Sequence, residues 1–92
     1  MMATCFQRSA LIEAAPLQEE ILLFHPQKNV FCVLNRTASF LWSCLADSST
    51  AEQLVEKLSQ HFEGVAAADV LQDVHNTLRQ LQSLDFIVVL PQ

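Results

Sequence analysis

Glycine is nearly absent from this sequence, and basic residues are few. The one glycine among 92 residues, Gly64, excludes a glycine-rich phosphate-binding loop. Five lysine and arginine residues stand against ten acidic residues, which gives a formal charge of −5. The basic residues are scattered, whereas proteins that bind nucleic acid normally carry a basic stripe that neutralises phosphates. The sequence therefore argues against a nucleic-acid partner and favours a protein or a basic peptide.

The patterns of metal sites and disulfide frameworks are also missing. The three cysteines, Cys5, Cys32 and Cys44, are odd in number, far apart in the chain and not arranged as CxxC. The three histidines lack HExxH spacing and have no cysteine pair nearby. We therefore expect no metal and no cofactor, and we expect the cysteines to act as small buried apolar side chains.

No apolar run approaches the length of about 18 residues that a membrane helix requires. Residues 1–8 lack the basic segment followed by an apolar segment that is typical of a signal peptide. We therefore expect a cytoplasmic protein with no membrane partner. Its length of 92 residues predicts a single domain.

The chain is organised around residues 30–42, where a strand pattern passes into a helix pattern. Branched, aromatic and aliphatic residues fill positions 30–34, as in a strand. From Ala38 onward the apolar residues recur at i, i+3, i+4 and i+7, as in a helix. Asn35 lies between the two patterns, where its side-chain oxygen can cap the first helical turn.

The remaining segments predict strands before this junction and helices after it. The strands are expected at residues 5–12, 20–25 and 30–34, with Pro16 beyond the end of the first and a proline-containing hairpin loop between the last two. Thr50 and Gln53 form a capping-box pattern, and Gly64 ends the second helix. The helices are expected at residues 36–46, 51–62 and 66–84. This order predicts an α+β domain in which a three-stranded antiparallel sheet is followed by three helices.

The predicted hairpin is more apolar than one buried face requires. A sheet covered on one face should alternate apolar and polar residues, but residues 21–24 and 30–34 are all apolar. The second face or the edge of the hairpin therefore needs cover. The apolar run at residues 86–90, a second subunit or a peptide partner would supply it, and this surplus is the clearest indication of function.

An ordered set of residues also runs from the third strand to the third helix. Leu34-Asn35 is followed by Thr37-Ala38, by Trp42 in the first helix and by an acidic turn at Asp47. Thr50 then opens the second helix ahead of Gln53-Leu54, and Asp73-Val74 in the third helix precedes Leu78 and Leu81. Over residues 20–87 this set resembles the PqqD-like family, named for a protein of pyrroloquinoline quinone biosynthesis. The family usually ends its third helix with glycine before an apolar residue, whereas here Asp85 precedes Phe86.

The resemblance implies a winged-helix-like fold that is not used on DNA. Members of the family are non-catalytic recognition proteins for ribosomally made precursor peptides, whose leader segment they deliver to a modifying enzyme, often a radical-SAM enzyme or a leader peptidase. The leader lies as an added strand against the third strand, in a groove closed by the third helix. The peptide-binding residues expected here are Val30, Phe31, Cys32, Val33, Val70, Asp73, Val74, Thr77, Leu78 and Leu81.

Three other functions compete with peptide recognition. An enzyme is disfavoured because no nucleophile and base stand in a supporting pattern. A winged-helix DNA-binding protein is disfavoured because Asp69 and Asp73 on the third helix would repel phosphate. A homodimeric scaffold remains open because exposed strand edges associate readily. A further hypothesis is that residues 86–90 cover apolar surface near the groove until a leader displaces them.

Overall fold

A computed structural model describes residues 4–62, 64 and 66–91. In chain order the elements are β1 (Thr4–Arg8), β2 (Glu13–Leu17), β3 (Glu20–His25), β4 (Val30–Leu34), α1 (Arg36–Cys44), β5 (Ser49–Thr50), α2 (Ala51–His61), α3 (Ala67–Ser83) and β6 (Ile87–Pro91). The predicted α+β class, with a three-stranded antiparallel sheet ahead of three helices, is confirmed.

The strands form two antiparallel sheets rather than the one that was predicted. The hairpin sheet has the order β2-β3-β4, and the second sheet has the order β5-β1-β6. In the hairpin formed by β3 and β4, His25 lies opposite Val30 and Ile21 lies opposite Leu34. Asn29 closes the turn with φ +56°, a left-handed conformation that asparagine adopts more readily than most residues.

The first strand differs from the prediction of residues 5–12. β1 ends at Arg8 and belongs to the second sheet, where it pairs with β5 and β6. The third strand of the hairpin sheet is instead β2, which contains Pro16. β2 is an edge strand within the described chain, and a proline is tolerated at an edge because its missing N–H can face solvent. Pro16 therefore lies inside β2, although the sequence pattern predicted that it lies beyond the end of the first strand.

Residues 86–90 lie mostly in a strand, and their displacement by a leader stays a hypothesis. Residues Ile87–Pro91 form β6, which pairs along its whole length with β1, from Ile87 opposite Arg8 to Pro91 opposite Thr4. Phe86 and Ile87 are buried in the core. The run therefore completes the second sheet, and its first residue, Phe86, packs on the core side beside His25 of the hairpin sheet.

Local hydrogen bonds fix one end of each of the three helices. The Asn35 side-chain oxygen accepts a bond from the amide of Ala38 at 2.8 Å, as the sequence predicts. Thr50 and Gln53 form both bonds of a capping box, at 2.9 and 3.1 Å. At the end of α3 the amide of Phe86 donates to the carbonyl of Leu81 at 2.9 Å, while Asp85 takes the left-handed position. Such an end suits glycine, so the aspartate at position 85 is an exception to a common helix stop.

The core lies between one face of the hairpin sheet and the helices. Leu23 and Leu34 enter it from the sheet, and Trp42 enters it from α1. The apolar stripe of α3 packs into the same core and consists of Val70, Val74, Leu78 and Leu81. Among the described residues, no helix combines the length and the apolar character needed to cross a membrane.

Candidate functional site

β4 is an unprotected edge strand. Within residues 4–62, 64 and 66–91 it pairs only with β3, so backbone N–H and C=O groups along its other side have no strand partner. Residues 30–34 contain no charge and no proline. The opposite edge, β2, carries Glu13 and Pro16, and both residue types discourage strand pairing. Of the two edges of this sheet, β4 is therefore the one suited to an added strand.

The side chains of β4 alternate between two environments. Val30 and Cys32 are half-buried and Leu34 is buried on the core side. Phe31 and Val33 point the other way and remain 62% and 55% exposed. The Phe31 ring stacks on Phe24 of β3 with the ring centroids 4.4 Å apart. An added strand would therefore meet half-buried side chains on one face and exposed apolar side chains on the other.

α3 forms the wall beside the core side of β4. The Gln80 side-chain amide donates to the Cys32 sulfur at 4.0 Å. The Lys28 ammonium, just before β4, pairs with the Asp85 carboxylate, just after α3. These two contacts show that β4 and α3 run in opposite directions, with the ion pair at one end of the space between them.

A polar stripe of α3 faces this space. Asp73, Thr77 and Gln80 are spaced by four and three residues, so they lie on one side of the helix. Because Gln80 contacts Cys32, this side is the one turned toward β4. Asp73 is exposed and Thr77 is half-buried. The stripe therefore offers a carboxylate, a hydroxyl and an amide along the edge of the strand.

The residues predicted to bind a peptide fall into two groups. The four β4 residues, Asp73 and Thr77 lie along the open edge or the polar stripe. The other four are buried in the core, at 1% exposure for Val70, 0% for Val74, 3% for Leu78 and 0% for Leu81. Peptide contact remains a prediction for all ten. The sequence did not predict Gln80 as a residue of the site. The available signal was its position one helical turn beyond Thr77, on the same side of α3.

Three serine hydroxyls donate hydrogen bonds to the main chain, and two cysteine thiols are poorly activated as nucleophiles. The hydroxyls of Ser39, Ser43 and Ser49 donate to main-chain carbonyls at 3.1–3.2 Å. Burial raises the pKa of the Cys32 and Cys44 thiols, so less of each is thiolate at neutral pH. In the described part of the chain, no group of three or more His, Cys, Asp and Glu side chains is placed to hold a metal.

A cleft of about 390 Å³ lies apart from β4 and α3. It is lined by the connection between β1 and β2 and by Trp42 of α1. The Arg8 guanidinium stands 5.7 Å from the centre of the Trp42 ring. The cleft shares no residue with the open edge, so its size does not bear on strand addition.

Comparison with known proteins gives one family and two similar folds. The profile of coenzyme PQQ synthesis protein D (PqqD) matches residues 20–87. TbiB1, solved in complex with the TbiA(beta) leader peptide, superposes with a TM-score of 0.78 at 23% identity, over 88% of this chain and 93% of that chain. Lasso peptide synthetase B1, solved in complex with the leader peptide, superposes with a TM-score of 0.76 at 19% identity, over 90% of this chain and 96% of that chain. No curated protein sequence matches. At these identities the two structures show the shared fold.

Proposed function

The chain belongs to the PqqD family, and we propose that it binds the leader segment of a ribosomally made precursor peptide and presents it to a modifying enzyme. The observation that carries the proposal is β4, an apolar edge strand facing a polar stripe of α3. Two chains of similar fold were solved with leader peptides, which supports the same kind of ligand here.

In this proposal the leader adds to the hairpin sheet as a strand beside β4. Each new backbone hydrogen bond contributes only about 0.5–1.5 kcal/mol net. Ordering a disordered leader costs about 2–5 kcal/mol. A few ladder bonds therefore barely offset the ordering, and side-chain contacts must supply the rest. We assign the ladder to the backbone groups of Phe31 and Val33, whose exposed side chains also offer apolar contact.

The polar stripe of α3 gives the second set of contacts. Thr77 and Gln80 are placed to hydrogen-bond a leader lying against β4, and Asp73 suits a basic or hydroxyl group. The four aliphatic residues behind the stripe are at most 3% exposed, so contact with a leader requires α3 to move away from the core. Their first role in this proposal is to hold α3 at its distance from β4.

The reaction on the precursor belongs to a separate enzyme, which we propose to be a radical-SAM enzyme or a leader peptidase. The recognition chain itself needs no cofactor for this role. A ribosomally made precursor is met in the cytoplasm, which is where we place the complex.

The experiment uses the leader half of a small open reading frame encoded beside this chain. The labelled leader is titrated with the protein and followed by fluorescence anisotropy, first unmodified and then with a single backbone N-methyl group at successive positions. Neighbouring residues of a strand alternate in the direction of their N–H groups, so the loss of affinity should alternate along the leader. An even loss would contradict strand addition. No binding, with the protein running as a stable homodimer, would favour a self-association module instead.

A further inference from the structure

The face of the hairpin sheet turned away from the core is unusually apolar. Phe31, Val33 and Leu17 are 62%, 55% and 44% exposed. Strand register places them on one face, because Leu17 lies opposite Glu20, Leu22 lies opposite both Ala15 and Val33, and Phe24 lies opposite both Glu13 and Phe31. We call this surface the outer face, and its members are Glu13, Ala15, Leu17, Glu20, Leu22, Phe24, Phe31 and Val33. An antiparallel sheet with one face on the core normally turns a polar face to water, so this face indicates a partner.

Acidic side chains predominate around the outer face. Glu13 and Glu20 are exposed at its margins, and none of its eight residues is basic. One basic side chain, Arg36, lies beside the face, in a cleft that it shares with Leu17, Glu19 and Glu20. Its guanidinium is also held 5.5 Å from the centre of the Phe62 ring. With three glutamates, Glu13, Glu19 and Glu20, and one arginine beside it, the face fits a surface with an apolar centre and lysine or arginine at its rim. A second copy would bring mainly carboxylates together.

We infer that the outer face is the docking surface for the enzyme that receives the leader, through an apolar patch rimmed by basic residues on that enzyme. This inference rests on the proposed function. β4 belongs both to the outer face and to the edge proposed for the leader, so an enzyme seated on the face would lie next to the bound peptide.

The size of the face sets the expected strength of docking. Five residues with a rise of about 3.3 Å, on three strands about 4.8 Å apart, cover roughly 17 by 14 Å. The corresponding area of about 240 Å² is well below the roughly 800 Å² per partner of a standard stable interface. Docking through this face alone is therefore transient, and a leader that also contacts the enzyme should strengthen it.

The test compares two variants with nearly equal exposure at the substituted position. Leu17→Lys changes the outer face on β2, two strands away from the leader edge, at 44% exposure. Val88→Lys is the matched control on β6 of the second sheet, at 43% exposure. Binding of each folded protein to the purified modifying enzyme encoded beside this chain is measured with leader present, at low and at high NaCl. Leu17→Lys should weaken enzyme binding about tenfold or more, the loss expected for one well-buried contact, and Val88→Lys should not.

The remaining readouts separate this inference from the proposed function. Leu17→Lys should bind the leader like the natural chain, and salt should weaken enzyme binding because it screens the charges at the rim. Failure of the leader to bind any of the proteins refutes the proposed function. If the leader binds but the enzyme does not, or Leu17→Lys and Val88→Lys weaken the enzyme equally, the inference is wrong. Self-association that strengthens with salt and disappears in Leu17→Lys would assign the face to a second copy and also overturn it.

Discussion

Replacing Leu81 by alanine distinguishes a core residue from a residue of the groove. The sequence predicted that Leu81 lines the groove, but its side chain is 0% exposed and packs in the core. Leucine-to-alanine changes at such positions cost about 2–5 kcal/mol. With a loss of about 3 kcal/mol and a urea dependence of about 1.5 kcal/mol per molar, the unfolding midpoint should fall by about 2 M.

The assay is urea unfolding followed by the fluorescence of Trp42, the one tryptophan of the chain, which is 3% exposed. Leader affinity, measured where both proteins are folded, should change little if Leu81 acts only by packing and should fall if Leu81 contacts the leader. Leu71→Ala is the control, since Leu71 lies on the same helix at 47% exposure and its loss should cost less than about 0.5 kcal/mol. An unchanged midpoint together with weaker leader binding would refute the placement of Leu81 in the core.

Three other substitutions test separate parts of the structure. Thr77→Arg puts a bulky charge on the polar stripe and should abolish leader binding in a titration, while the unfolding midpoint stays within the error of the natural chain. Thr50→Ala removes one side of the capping box and should lower stability by about 1 kcal/mol in thermal unfolding; no change would mean that the cap is not formed in solution. A hydrogen bond from Lys28 and its positive charge lower the pKa of Asp85 from its ordinary value, so the pair stabilises the fold above that ordinary value, and this stabilisation is lost as the pH falls through the lowered pKa. The urea midpoint of Lys28→Gln should therefore be lower than that of the natural chain at neutral pH, and the two midpoints should converge only in acid. A difference in midpoint that does not change with pH would contradict the pairing.

Local patterns predicted the parts of the fold that local interactions determine. Asn35 and Thr50 carry short polar side chains at positions where a helix start needs acceptors, and both caps form. The apolar residues of β3 and β4 flank a turn of suitable composition, and the hairpin forms.

The second sheet was not predicted because it depends on pairing between distant segments. β1 and β6 lie at opposite ends of the chain, and nothing in either sequence specifies the other as its partner. The strand containing Pro16 was missed for a related reason. Whether a proline breaks a strand depends on whether the strand lies at an edge, and that is a property of the whole sheet.

The candidate site was predicted in position but not in detail. The pattern of residues 30–34 identified the open strand, because an apolar run without charge is visible in the sequence. The apolar pattern of α3 could not distinguish residues that pack in the core from residues that line the groove. Val70, Val74, Leu78 and Leu81 recur at helical spacing whether they pack inward or line a cleft, and the structure buries all four. The stripe with Gln80 follows only from the contact between Gln80 and Cys32.

The most direct test of strand addition is an amide-shift titration of isotope-labelled protein with the neighbouring leader. We expect the largest shifts in β4 and along α3 from Asp73 to Gln80, with smaller shifts in β1 and β6. Shifts concentrated in the second sheet, or none at saturating leader, would contradict the assignment of β4 as the peptide-binding edge.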